Sequence, residues 1–441
     1  MMLPHESDKG VKQMLIKSQS MPWKSLTVTA SVILMLAMLL PTGAKADAVS
    51  DWSFIANTVV ITKAATRPPA SMIDFAYVHA AIYDAVNAID GRYSVFTVVP
   101  STAPTAASPE AATAAAAYTM LKALYPGQKD FLDTVYANYL LSIPAGIAQT
   151  RGIAVGTEVA TAFIALRTGD GRNANVPYVF GSGPGVYQVT PGAPPPPITP
   201  LFPWIAQMKP FTLESPSQFR ADGPPNLSSA QWADDYNEVK AFGALNGSLR
   251  TPEQTAIGLF YVENPGPQVN RNIRQIAAAH SLSISDSARF FAQTYVSIAD
   301  SLIACWDSKF YYNFWRPVTA IHNADSDGNA ATESDISWTP LATTPPHPEY
   351  PAAHGCVTSA LAHSLENFFG DPQLNVTLTS TSVPGMPLAA RTFARPHDMI
   401  NEIIDARVYT GFHYRTSGVH GTVIGQKVAR WVSKYYFLPA K

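Results

Sequence analysis

Three short segments carry the residues whose chemistry can be inferred from this 441-residue sequence. The first, Cys305–Pro317 (CWDSKFYYNFWRP), contains Lys309 and Arg316 among aromatic residues. Their spacing of seven predicts that both cations lie on one helix face across two turns. Pro317 disfavours helical backbone in the residue before it, so the helix is predicted to end near Arg316. The same pattern would also suit surface cations whose stems cover apolar surface.

The second segment, Pro345–Gly355 (PPHPEYPAAHG), leads from proline-rich chain into an apolar stretch that predicts a helix over residues 352–369. Pro351 is well placed to begin that helix. The backbone N–H groups of a first helical turn lack helical partners and form an anion-binding end, here at Ala352 and Ala353. His354 follows in the same turn, where it could act as a general acid and base or serve only as a partly buried cap.

The third segment, Ala406–Ser417 (ARVYTGFHYRTS), contains Arg407 and His413, six residues apart. On a continuous helix these side chains would point in different directions. Gly411 lies between them and permits a turn at low cost, which would bring both to one point. Two unrelated surface residues are the alternative interpretation, because such side chains are mostly exposed.

Taken together, the three segments predict a site for a tetrahedral oxyanion. Arginine supplies paired N–H donors and lysine a compact positive charge. A neutral histidine nitrogen could bond the central atom of the anion, either as a nucleophile or as a metal ligand.

Helical periodicity dominates the rest of the chain and predicts an all-α fold, built as one helix bundle or two packed bundles. A Pro/Gly-rich loop over residues 169–226, with Pro194–Pro197 extended, separates a helical region at 47–228 from a bundle at 229–441 that carries the site. Such long loops often shape an entrance. No convincing strand alternation is present. The predicted helices are Met72–Ala88, Pro109–Leu124, Gly127–Leu141, Ala145–Leu166, Ser229–Ala244, Pro252–Val262, Val269–Ala279, Ser285–Trp315, Ala352–Phe369, Asp398–Thr410 and Val419–Tyr436.

The N-terminus predicts export. Lysines precede an apolar run from Leu26 to Leu40, and Ala44-Lys45-Ala46 resembles a cleavage site, so residues 1–46 are interpreted as a cleaved signal peptide. The run is shorter than the about 20 residues of a membrane span, although an uncleaved anchor is the alternative. A net charge of −2 without a basic run argues against a nucleic-acid partner. Cys305 and Cys356 could pair in an exported protein.

The three segments resemble the motifs of the vanadium-dependent haloperoxidase and phosphatidic-acid-phosphatase-like superfamily, which are K-x6-RP, PSGH and SR-x5-H-x3-D. This chain has Lys309-x6-Arg316-Pro317, Pro351-Ala352-Ala353-His354 and Ala406-Arg407-x5-His413-x3-Ser417. The segment FAYVHAAIYDAVNAI also resembles the opening helix of bacterial haloperoxidase-like members.

The resemblance implies a vanadate cofactor and a role for each matched residue. The basic side chains, Lys309, Arg316 and Arg407, would neutralise the oxyanion, helped by the backbone of Ala352 and Ala353. His354 would be the acid and base. His413 would bond vanadium, or attack phosphorus in a phosphatase.

The resemblance also suggests three residues around the oxyanion. Trp306 stands where chloroperoxidase-type members carry a tryptophan near the halide. His347 stands where bromoperoxidase-type members often have histidine, which favours bromide or iodide. Glu263 corresponds loosely to the acid that orients the cations.

Two departures from the motifs predict weaker vanadate binding. Ala352 replaces a serine that donates to the oxyanion, a loss of about 1.5–3 kcal/mol, or roughly 10- to 150-fold in affinity. Ser417 replaces the aspartate that orients the second histidine, and a hydroxyl orients imidazole less strongly.

Three functions follow. The first is a haloperoxidase that uses hydrogen peroxide, a halide and an organic acceptor. The second is a phosphomonoesterase that cleaves phosphate esters through a phosphohistidine. The third is an exported helical protein that binds an oxyanion without catalysis.

Overall fold

The computed structural model describes residues 47–102, 104–190 and 200–440. The predicted signal peptide, residues 1–46, and Pro194–Pro197 lie outside these ranges. The described chain is predominantly helical, which confirms the all-α prediction. Its α-helices are α1 Ala48–Asn57, α2 Ala70–Asp90, α3 Pro109–Leu124, α4 Lys129–Leu141, α5 Ile147–Arg167, α6 Ala230–Gly243, α7 Pro252–Phe260, α8 Pro265–Ala279, α9 Ile284–Tyr312, α10 Pro317–His322, α11 Ala353–Phe369, α12 Pro396–Tyr409 and α13 Arg415–Tyr435.

Side-chain caps explain several helix starts. Ser108 accepts a hydrogen bond from the N–H of Ala111 at the start of α3, whose bounds match the prediction. Thr251 and Gln254 form a reciprocal capping box at the start of α7. Two helices, α1 and the six-residue α10, were not predicted from the sequence.

A two-stranded antiparallel hairpin corrects the expectation that strands are absent. β1 (Val376–Ser380) pairs with β2 (Ala389–Phe393), with Val376 opposite Phe393. The β1 sequence, VTLTS, places Val376 and Leu378 on one face and Thr377 and Thr379 on the other, which is a short apolar and polar alternation. The alternation spans only five residues and the partner strand, AARTF, does not continue it, so the hairpin was not recognised from the sequence.

Helix α9 is the central element of the core. It packs against α2 from the N-terminal part of the chain and against α11 and α13 from the C-terminal part. Alanines make up much of α2, and its first 18 residues are buried around the whole helix. The boundary between residues 228 and 229 stays a prediction.

A close helix crossing places the start of α11 beside the start of α13. A Cβ added to Gly355 would lie 2.8 Å from the carbonyl oxygen of Gly418, so glycine permits this approach. The N–H of Ala352 donates to the carbonyl of Ser417 across the crossing, at 2.9 Å. The crossing thus joins the second and third sequence motifs.

The long loop contains the 3₁₀ turn Pro203–Gln207 and otherwise has no helix or strand among its described residues. In the described ranges we found no helix with the length and apolar character needed to cross a membrane.

Candidate oxyanion site

Lys309 lies in the last part of α9 and is completely buried. Its Nζ donates to the backbone carbonyls of Pro348 (3.1 Å), Glu349 (2.8 Å) and Pro351. An ammonium group has three donors, and all three are therefore satisfied by this segment. Lys309 holds the chain that leads into α11 and contributes a buried positive charge behind the site.

Arg316 reaches the site from a different element than predicted. The expectation that Lys309 and Arg316 share one helix face is wrong, because α9 ends at Tyr312 and Asn313 takes a left-handed conformation with φ 49°. The hydroxyl of Tyr178 holds the Asn313 side chain at 2.6 Å. Arg316 follows in extended backbone and caps α10.

The Arg316 guanidinium is fully buried and joins two parts of the site. It donates to the carbonyls of His347 (2.9 Å) and Phe412 (3.0 Å). Its Nη1 also lies 3.3 Å from Nε2 of His413, and its Nη2 lies 3.0 Å from Nδ1 of His347.

Arg407 and His413 converge as predicted through a turn at Gly411, where φ is +74°. The backbone N–H groups of Phe412 and His413 donate back to the carbonyl of Arg407, at 3.2 and 3.3 Å. Arg407 donates from Nη1 to the carbonyl of Tyr261 at 3.0 Å. Its buried Nε has no hydrogen-bond partner within the described chain.

Glu349 fixes the orientation of His413. Its Oε1 lies 2.8 Å from Nδ1 of His413 and accepts from the backbone N–H of Tyr414 at 3.2 Å. The hydroxyl of Ser417 donates to the other carboxylate oxygen at 2.6 Å. Because arginine can only donate, Nε2 of His413 must be the acceptor toward Arg316, and Nδ1 carries the hydrogen toward Glu349.

The expectation that Ser417 is the orienter of His413 is therefore wrong. Ser417 contacts Glu349, and Glu349 contacts the imidazole ring. The sequence analysis included Glu349 in the second motif but assigned it no role. A carboxylate in the proline-rich segment immediately before an anion-binding helix end was the available signal.

The N-terminal end of α11 closes the site. The N–H of Ala352 is used by Ser417, and the first intrahelical bond runs from Cys356 N to Ala352 O at 3.3 Å. The N–H groups of Ala353, His354 and Gly355 precede that bond, as expected for a first turn. Ala352 gives no side-chain cap. The buried Nε2 of His354 is without a partner in the described chain.

Burial shifts the pKa of every ionisable group in the site. It lowers the pKa of Lys309 to about 8, of Arg316 to about 10 and of Arg407 to about 9. Burial raises the pKa of Glu349 to about 7, although Ser417 and the two nearer cations oppose this shift.

The two histidines stay neutral near pH 7. Burial, reinforced by the neighbouring cations, holds the pKa values of His354 and His413 well below 6.5. Three cations thus face one buried carboxylate, and an added anion would compensate the remaining positive charge.

A cavity of about 300 Å³ opens onto this cluster. Ala353, His354, Arg407 and His413 line its polar part. Lys309 and Arg316 are behind these residues and do not line the cavity.

The three residues predicted around the oxyanion all line the cavity. Trp306 and His347 pack against each other with ring centroids 5.1 Å apart, and Trp306 Nε1 donates to the carbonyl of Leu201 at 3.1 Å. Glu263 pairs with Arg271 at 2.8 Å rather than with the site cations. Cys305 and Cys356 are buried free thiols.

The chain is similar to known vanadium haloperoxidases in sequence and in fold. Residues 289–438 match the family model of the second helical-bundle domain of vanadium chloroperoxidase, VCPO. The curated vanadium chloroperoxidase of Curvularia inaequalis is 26% identical over 382 residues, which cover 69% of this chain and 62% of that protein. These similarities support a relationship of this chain to the vanadium haloperoxidase superfamily. It spans somewhat less than two thirds of the length of this curated relative.

Two solved structures show the same fold as this chain. A bacterial vanadium-dependent iodoperoxidase superimposes with a TM-score of 0.74 at 22% identity, covering 91% of this chain and 99% of the other. A holo-type bacterial vanadium-dependent chloroperoxidase gives a TM-score of 0.64 at 17% identity, with coverages of 90% and 93%.

The superfamily implies vanadate, and the residues present fit a tetrahedral oxyanion. The unpartnered Nε of Arg407 is a buried donor, and the Nε2 lone pair of His413 is directed away from Glu349. Helix N–H groups and guanidinium groups are the donors that such anions require.

Proposed function

We propose that this protein is a vanadate-dependent haloperoxidase that oxidises a halide with hydrogen peroxide. The observation that carries this proposal is a neutral, carboxylate-oriented His413 among buried cations at the end of α11. Similarity to the vanadium haloperoxidase family supports an enzymatic, peroxidase-type role.

The proposed cofactor is vanadate, held by a small set of groups. Nε2 of His413 would bond vanadium, while Arg407 and the N–H of Ala353, which line the cavity, would bind the oxygens. Lys309 and Arg316 would add positive charge from behind. When bound, vanadate would supply Lewis-acid activation of hydrogen peroxide.

Glu349 and His354 have different roles in the proposed reaction: Glu349 fixes a proton on His413, and His354 transfers one. Glu349 keeps the Nδ1 hydrogen of His413 in place and leaves Nε2 as the ligand atom. His354 lines the cavity with a neutral ring, so it would accept a proton from hydrogen peroxide and return it to a product oxygen.

Trp306 and His347 form the wall proposed to receive the halide. The histidine at position 347 favours bromide or iodide over chloride. The N-terminal sequence supports export, and we propose that the mature enzyme acts in the periplasm or outside the cell.

A paired assay tests the function. Purified protein reconstituted with orthovanadate is given bromide, iodide or chloride with hydrogen peroxide, and separately an aryl phosphate without vanadate. We expect peroxide-dependent halogenation, fastest with iodide or bromide, and negligible hydrolysis. Hydrolysis without halogenation would replace the proposal with a phosphatase, and inactivity in both assays would favour a non-catalytic oxyanion-binding protein.

A phosphomonoesterase is the second candidate, because Glu349 supplies the carboxylate that a histidine nucleophile requires. His413 would attack phosphorus through Nε2, and His354 would protonate the leaving alcohol. Orthovanadate would inhibit such an enzyme rather than activate it, which separates the two candidates in one titration.

Replacing Ala352 with serine is expected to tighten vanadate binding about tenfold. This is the lower end of the roughly 10- to 150-fold range for the lost donor. The new hydroxyl can also accept from the free N–H of Gly355 as a helix cap, which competes with its contact to vanadate. Isothermal titration of the apo-protein with orthovanadate measures the affinity. Ala352→Gly, which adds no hydroxyl, is the matched control, and equal affinities for the serine variant and the natural protein would contradict the lost-donor interpretation.

A further inference from the structure

The cavity is larger than the proposed oxyanion chemistry requires. Its volume of about 300 Å³ is roughly ten times the share of one liquid water, about 30 Å³. Vanadate, hydrogen peroxide and a halide would fill only part of this space. Cavities that bind organic molecules begin at about this volume.

The outer walls of the cavity are apolar. They come from the start of α2 and the chain before it, from α9 and from the loops that surround them. The apolar lining includes Pro68, Pro69, Met72, Leu302, Pro346 and Phe412. Such walls gain little from peroxide or halide but would stabilise a buried hydrocarbon surface.

Arg67 adds an uncompensated charge to this apolar part. It lines the cavity and is exposed, and its guanidinium has no hydrogen-bond or ion-pair partner among the described residues. The cavity carboxylate Glu263 is neutralised by Arg271 and also accepts from the N–H of Thr381 at 2.8 Å. The outer cavity is therefore apolar with one available cation.

We propose that this outer cavity binds the organic acceptor, an aromatic carboxylate whose ring packs on the apolar walls and whose anionic group pairs with Arg67. The chemical step rests on the proposed haloperoxidase function, whereas the binding does not. An aromatic C–H and hypohalous acid give an aryl halide and water: the ring carbon bonds the halogen, and its proton leaves with the hydroxyl of the hypohalous acid. Halogenation then occurs on a bound ring rather than on a compound in bulk solvent.

The test measures binding of two matched probes to the vanadate-loaded protein without peroxide. 4-Hydroxybenzoate carries the carboxylate, and 4-hydroxybenzyl alcohol is its neutral counterpart. We expect Arg67→Gln to weaken 4-hydroxybenzoate about fivefold, the effect of a rim ion pair of about 1 kcal/mol, and to leave the alcohol unaffected. Arg67→Lys is expected to retain most of the affinity, and Arg430→Gln, an exposed arginine that does not line the cavity, should behave as the natural protein.

Three results would overturn the subsite: no binding of 4-hydroxybenzoate, equal weakening of both probes by Arg67→Gln, or no change with either probe. Halide oxidation by the natural protein, followed separately without an acceptor, reports on the proposed function alone. Arg67-dependent binding without halide oxidation would keep the subsite and reject the haloperoxidase. Halide oxidation without Arg67-dependent binding would keep the haloperoxidase and reject the subsite.

Discussion

His413→Ala is expected to abolish peroxide-dependent halogenation by the vanadate-reconstituted protein. Loss of an outer partner of a metal ligand costs roughly 10- to 100-fold, and loss of the ligand itself should exceed that range. Initial rates with bromide and saturating peroxide measure the activity, and titration with orthovanadate measures the affinity.

The physical reason is the position of Nε2. This atom accepts from Arg316 at 3.3 Å and is the unprotonated nitrogen of a ring whose other nitrogen is held by Glu349. Alanine removes the only bond proposed between the chain and the central atom, while the surrounding cations remain. Residual vanadate binding through Arg407, aided by the positive charge of Arg316, is therefore expected without turnover.

His322→Ala is the matched control. His322 ends α10, and its Nε2 lies 2.7 Å from the carbonyl of Trp338, outside the cavity lining. We expect its activity to match that of the natural protein. Retained halogenation in His413→Ala would show that this imidazole is not the vanadium ligand.

Glu349→Leu is expected to weaken vanadate binding about 10- to 100-fold, because the leucine cannot hold the imidazole of His413. The substitution also leaves Nδ1 of His413 and the hydroxyl of Ser417 buried without their carboxylate partner. Each buried donor left without an acceptor costs about 1–3 kcal/mol in the free energy of unfolding. Orthovanadate titration and denaturant unfolding measure the two effects.

Two further variants separate orientation from charge. Glu349→Gln keeps an oxygen that can accept from Nδ1 of His413, so its affinity should lie between those of the leucine variant and the natural protein. Ser417→Ala removes only the contact to the second carboxylate oxygen and should cost less than Glu349→Leu. A loss in Ser417→Ala as large as in Glu349→Leu would place the orienting role on the serine instead.

The apolar period located most of the helices from sequence alone, because helix periodicity and caps act within a few residues. The bounds of α3 match the prediction, and the turn at Gly411 follows from a local backbone preference. The resemblance in three motifs brought the basic residues and both histidines together in one prediction. Those inferences needed no knowledge of how distant segments pack.

Tertiary structure decided the rest. The left-handed Asn313 ends α9, so Arg316 lies on another element, and the Asn313 side chain accepts a hydrogen bond from Tyr178, which is 135 positions away. Glu349 and His413 are separated by 64 positions, and no local pattern pairs them. They meet because the segment held by Lys309 enters α11 beside α13, where glycine permits close backbone contact. The sequence therefore determined which groups could bind an oxyanion, whereas packing between distant helices determined which carboxylate orients the imidazole and how much space lies beside it.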